Sequence, residues 1–182
     1  GLDIKVSVNM SPTQLYDIGF TKKLKNMADK HQVGLSQLEL ELTEDVALSN
    51  SVLVKKQLTQ VRALGISVAI DDFGKGYSNL AYLRDIEIDI IKIDKSFVMQ
   101  IDQSPVNRAI VEASQIIAKA ANSEVVAEGI ESIQHLHILR EIGILSGQGF
   151  LFSKAIPIAK FVELANQDLS VGTSFVRSQS KA

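Results

Sequence analysis

The chain has 182 residues, of which 46% are hydrophobic, enough apolar material for one substantial core and no requirement for a second domain. A net charge of -2 leaves DNA or RNA polymer binding without electrostatic support. The absence of cysteine excludes disulfides, thiolate zinc sites and cysteine nucleophiles, and no apolar run reaches the roughly 18 to 20 residues of a membrane span.

In chain order, the first element is the short β-rich run IKVSVN from Ile4, read as a strand ending on Asn9. TKKLKNMADKH follows with apolar residues at steps of three and four, with Thr21 as the predicted N-cap and Gly34 as the glycine past its end. LELEL from Leu38 is the second strand, and Ser49 or Asn50 is predicted to cap the amphipathic SVLVKKQLTQVRALG, which closes on Gly65. Next come the strands SVAID from Ser67 and IDIIKI from Ile88, then the helix NRAIVEASQIIAKAA. The strand EVVAE from Glu124, the helix ESIQHLHILREIG closing on Gly143 and a weaker strand around Ile144 to Phe150 complete the pattern. Residues 1–166 are read as the barrel domain and the aperiodic polar 167–182 as a flexible tail.

Alternating strands and helices imply a parallel sheet covered by helices. A TIM-like (β/α)8 barrel is favoured over a doubly wound sheet, because no GxGxxG follows the first strand and chemistry-bearing residues stand at the ends of nearly every strand. About six β/α units are legible where a closed barrel has eight in about 250 residues. The first strand begins almost at Gly1, so the incomplete barrel is expected to lack its N-terminal strand and helix.

The strand ends carry Asn9, Glu41, Asp71 with Asp72, Lys92, Glu128 and Gln148. Carboxylates crowded into a low-dielectric cleft repel one another unless cations stand between them, and an all-oxygen set with one amide suits magnesium or manganese. Adjacent aspartates can serve two ions about 3.5 to 4 Å apart, the spacing of in-line attack on phosphate esters. Lys92 lies inside an apolar strand, suited to orient water or neutralise a phosphoryl oxygen, and Asp94 follows two residues on, on the same face. Each feature has a plainer reading: the aspartate pair as a cap or turn, LELELTED as a half-exposed strand, Lys92 snorkelling to solvent, Asn9 as a helix cap, Gln148 as a loop amide. Their coincidence at six strand ends is what favours a site. His31, His135 and His137 fall in charged helical segments and are read as surface residues. The DFG at Asp72 lacks the kinase catalytic loop, and GKG at Gly74 lacks the Walker spacing.

The motifs SVNMS, ELTE, DDFGKGYSNL, DIIKID, AEGIES and GQGF, in that order over about Ile4 to Phe161, resemble the EAL domain, the bacterial phosphodiesterase of cyclic di-GMP. The resemblance implies hydrolysis of cyclic di-GMP to the linear dinucleotide pGpG with two magnesium or manganese ions. It implies metal ligands at Asn9, Glu41, Asp71, Asp72 and Glu128. Lys92 is similar to the lysine that holds the nucleophilic water, and Gln148 to the glutamine completing the site. Glu44 resembles the acid that anchors the loop after Asp72; Phe73, Gly74 and Gly76 lie in that loop, which in the family links metal binding to dimer contacts, and Glu131 resembles an acid of the same region. Asp94 is expected to steady Lys92 or the water. A homodimer, an upstream sensor or GGDEF-type domain, a cytoplasmic location and no membrane contact by this domain are further implications.

Three departures stand out. The glutamate of the EAL signature and the arginine after it have no counterpart, as expected of an N-terminally incomplete barrel of weak activity. Lys75 replaces a small Thr or Ser, and Asn79 replaces a second Ser. The Cys and Asp before the last motif are absent, and Phe150 replaces Tyr. The rival expectations are a receptor that binds cyclic di-GMP without cleaving it, and a barrel hydrolase for another phosphoester.

Overall fold

The computed structural model describes residues 4–48, 52–75, 80 and 82–166. The elements are β1 (Val6–Asn9), α1 (Pro12–Leu15), α2 (Phe20–His31), β2 (Leu38–Thr43), α3 (Glu44–Leu48), α4 (Val52–Ala63), β3 (Ser67–Phe73), α5 (Tyr82–Asp85), β4 (Ile90–Ile93), α6 (Lys95–Val98), α7 (Pro105–Ala120), β5 (Glu124–Ala127), α8 (Ile133–Ile142), β6 (Ser146–Gly147) and α9 (Ile158–Asn166). The six strands form one parallel sheet in sequential order, each joined to the next through helix, as in part of a TIM-like barrel. Among the described residues no helix is long and apolar enough to cross a membrane. The tail at 167–182, with Ser49, Asn50, Gly76 and Asn79, lies outside the described residues.

Strand parity explains the two faces. In-register pairs place Ser7, Asn9, Glu39, Glu41, Ser67, Ala69, Ile90, Lys92 and Val126 on one face. The alternate residues Leu40, Leu42, Val68, Ile70, Ile91, Ile93 and Ala127 are buried beneath the helices with Leu58, Val61, Val111 and Leu139. Each fully buried Leu or Ile contributes roughly 1.5–3 kcal/mol, so this outer layer holds the sheet while the inner face is left for polar chemistry.

Helix ends follow local rules in most places. Ser104 accepts from the N–H of Asn107 ahead of Pro105, Ser132 caps α8 through the N–H of His135, and Gly143 ends α8 at φ 91°. Two predicted caps differ. Gly19 precedes α2, which places Thr21 inside the helix, where its hydroxyl donates to Gln57 Oε1 at 2.9 Å across to α4. The left-handed residue after α2 is Gln32, at φ 54°, and Gly34 instead opens the 3-10 turn Leu35–Gln37. The inter-helix hydrogen bond and the early turn outweigh the local cap preference.

Candidate active site

At the C-terminal rim of the sheet, Lys92 from β4 is the hub. Its Nζ lies 2.6 Å from Glu41 Oε1 on β2, 2.8 Å from Glu128 Oε1 just after β5 and 3.2 Å from Asp71 Oδ1 on β3. Lys92 is 5% exposed and Glu41 7%. Burial alone would lower the affinity of Lys92 for its proton, but hydrogen bonds to Glu128 and Glu41 outweigh it and push its pKa up, so the ammonium stays charged. The Glu128 carboxyl is pushed up by its own burial, with the charges of Asp71 and Glu41 adding to this against the pull of Lys92. Gln148 Nε2 donates to the same Glu128 Oε1 at 2.8 Å. Asn9 stands opposite Glu41 in register, which sets it at the same rim.

The aspartate pair occupies a β-bulge. Ile70 pairs with Ile91 and Phe73 with Ile93, so Asp71 and Asp72 together oppose the single Lys92. Asp72 takes the left-handed conformation, φ 56°, which aspartate tolerates better than most residues. The extra residue therefore sends the two carboxylates different ways. Asp71 meets Lys92, whereas Asp72 Oδ1 is 3.0 Å from the ammonium of Lys75, which is also 3.0 Å from Asp94 Oδ2. Asp94 accepts from the N–H of Ser96 at 2.9 Å and from its hydroxyl, and so caps α6. Although burial opposes it, these bonds and the Lys75 ammonium hold the Asp94 carboxyl well below the usual carboxylate range. Asp94, expected to steady Lys92 or the water, thus pairs with Lys75.

Glu44 opens α3 and accepts from the N–H of Gly74 at 3.3 Å through Oε2, while its Oε1 and the nearby Tyr82 hydroxyl are buried without hydrogen-bond partners among the described residues. Burial, with the charge of Glu44 adding to it, pushes the Tyr82 phenol up. Phe73 is buried, and a side chain on Gly74, at φ 94°, would press on the ring of Phe97. Glu131 is exposed, with its backbone N–H directed at His135 Nδ1 at 3.5 Å. His135 corrects the surface reading. It is 8% exposed, with Nε2 3.8 Å from Asp102 Oδ1, because it shares the inner face of α8 with Leu139 four residues on. His31 and His137 are exposed.

The glycines of GQGF have a packing role invisible in the motif alone. A Cβ on Gly149 would fall on the backbone N, C and O of Ile130, and one on Gly147 on Ile130 Cδ1. The N–H of Ile130 donates to the carbonyl of Gln148 at 3.1 Å, so this approach sets Gln148 against Glu128. Gly149→Ala is expected to cost about 1–3 kcal/mol and to loosen Gln148; a melting temperature equal to that of the unsubstituted protein would contradict the approach.

Comparison with known proteins places this geometry. The chain is 38% identical over 161 residues to the cyclic di-GMP phosphodiesterase PdeR of Escherichia coli, covering 88% of this chain and 24% of PdeR. The chain therefore spans about a quarter of that relative. Among solved structures, the EAL enzyme Bd1971 in its cAMP- and cyclic-di-GMP-bound form matches with TM-score 0.85 and 37% identity, over 90% of this chain and 43% of that one. Klebsiella pneumoniae BlrP1, in a complex with manganese and cyclic di-GMP, matches with TM-score 0.77 and 32% identity, over 82% of this chain and 38% of that one. The profile of the EAL domain matches residues 1–155, and the chain belongs to the EAL domain family.

Proposed function

We propose that the parent protein hydrolyses cyclic di-GMP to pGpG at the rim organised by Lys92, with two divalent ions, magnesium or manganese. The observation that carries this reading is the convergence of Glu41, Asp71 and Glu128 on one buried ammonium. The donor chemistry fits hard divalent ions: carboxylate oxygens from separate strands, Asn9 as an amide, and Asp71 Oδ1, which is buried without an aligned hydrogen bond among the described residues. Among the described residues no three carboxylates form a ready cage, and Lys92 lies between Glu41, Asp71 and Glu128, so ion entry would require those side chains to shift. Asn9, Glu41, Asp71, Asp72 and Glu128 would hold the ions, which when bound polarise the phosphoryl group and activate water.

The chain's own groups do the rest. Lys92, held charged, orients the attacking water or a phosphoryl oxygen, and Gln148 fixes the free rotation of Glu128. Water adds to phosphorus, the P–O3′ bond breaks in line, and the proton ends on the departing 3′ oxygen. The homodimer, an upstream sensor or GGDEF-type domain and a cytoplasmic location belong to the same proposal, with Glu44, Phe73, Gly74, Gly76 and Glu131 coupling loop to dimer.

The test is incubation of a protein carrying the whole EAL domain with cyclic di-GMP and manganese, followed by chromatography. Appearance of pGpG is the expected result. Tight binding of cyclic di-GMP without pGpG would instead select the receptor reading, which the ammonium of Lys75 against Asp72 favours.

A further inference from the structure

We propose that Lys75 is a tethered cation that holds the divalent-ion position at Asp72, so that the ion served by Asp72 binds weakly and in competition with the chain's own ammonium. This inference rests on the two-ion reading above. Its basis is a second charge cluster beside the Lys92 hub. Lys75 Nζ stands 3.0 Å from Asp72 Oδ1 and 3.0 Å from Asp94 Oδ2, and the Asp94 side chain is 2% exposed. The other oxygen of Asp94 is already engaged by the N–H and hydroxyl of Ser96. Lys75 is therefore the counter-charge that this buried carboxylate meets.

The backbone delivers it there. Asp72 at φ 56° and Gly74 at φ 94° fold the segment back, and the N–H of Lys75 closes the turn on the carbonyl of Asp72 at 3.2 Å. The ammonium is consequently presented to the carboxylate three residues earlier at an effective concentration on the order of millimolar. A divalent ion on the same oxygen would sit a few ångströms from a like charge, so the two occupants exclude each other.

The two lysines differ in what they can do. The Lys92 side chain is 7% exposed and locked among three carboxylates, whereas that of Lys75 is 52% exposed and can swing into water. Lys75 is thus a removable plug.

Calorimetric titration with manganese chloride, supported by electron paramagnetic resonance of free Mn2+, tests this on the full chain. Lys75→Thr should tighten the weaker Mn2+ site about tenfold, the effect of removing two competing charge pairs. Lys75→Arg keeps the charge and should leave that site weak, and equal melting temperatures of the two variants check that the fold is intact. Isotherms for Lys75→Thr and the unsubstituted protein that coincide, with Mn2+ bound, would overturn the role of Lys75 and leave the two-ion reading standing. No Mn2+ uptake by any of the three would overturn the two-ion reading, and this inference with it.

Discussion

Lys92→Met is expected to destabilise the metal-free protein by about 3–5 kcal/mol, the cost of leaving buried charges without their partner. Glu41, Asp71 and Glu128 all face this ammonium within 3.2 Å, and methionine fills the volume without the charge. For a domain of this size the melting temperature should fall by roughly 10 °C. The Lys92 pKa is raised in the folded state, so its contribution is complete below its unfolded value near 10.4 and disappears only as pH rises through the folded one. The deficit should accordingly be flat between pH 7 and 9. Adding Glu41→Gln to Lys92→Met should recover part of the loss, since one of the stranded charges is removed. Saturating Mn2+ should raise the melting temperature of the variant more than that of the unsubstituted protein, because an added cation replaces the missing one. A variant that melts like the parent in metal-free buffer at all these pH values would show that the carboxylates do not depend on Lys92.

The largest catalytic effect is expected from Asp71→Asn in a protein that carries the whole EAL domain. Formation of pGpG should fall about 1000-fold, with the Michaelis constant for cyclic di-GMP changed only a few-fold. Asparagine keeps the shape, so the bulge that opposes Asp71 and Asp72 to Lys92 survives, while the negative charge and one of the two carboxylate oxygens are lost. Stability should change little, because Lys92 keeps Glu41 and Glu128 at 2.6 and 2.8 Å. Calorimetric Mn2+ titration of the same variant separates loss of ion binding from loss of substrate positioning. Turnover within tenfold of the parent would remove Asp71 from the site.

Much of this was legible from residue order. The six strands were read within a few residues, because short runs rich in Val, Ile and Leu, set between segments of helical periodicity, mark strands that a covered parallel sheet buries. The buried polar positions were legible too, since Lys92 interrupts an apolar strand and Glu41 alternates with leucines. Thr21 was misplaced as a cap because capping preference is local and weak beside the Thr21–Gln57 bond, whose partner is 36 residues away, and Gly34 because Gln32 already takes the left-handed position that ends α2. His135 was misplaced because a charged helical segment does not say which face turns inward.

The sequence by itself determined the parity of each strand, the oxygen-rich character of the rim and the order of the motifs, all of which depend on neighbours along the chain. Only the tertiary structure decided which carboxylate meets which cation: Lys92 with Glu41, Asp71 and Glu128, and Lys75 with Asp72 and Asp94. The reason is that an ion pair is set by distances of a few ångströms. Strand register and a single bulged residue fix those distances between segments that are far apart in the chain.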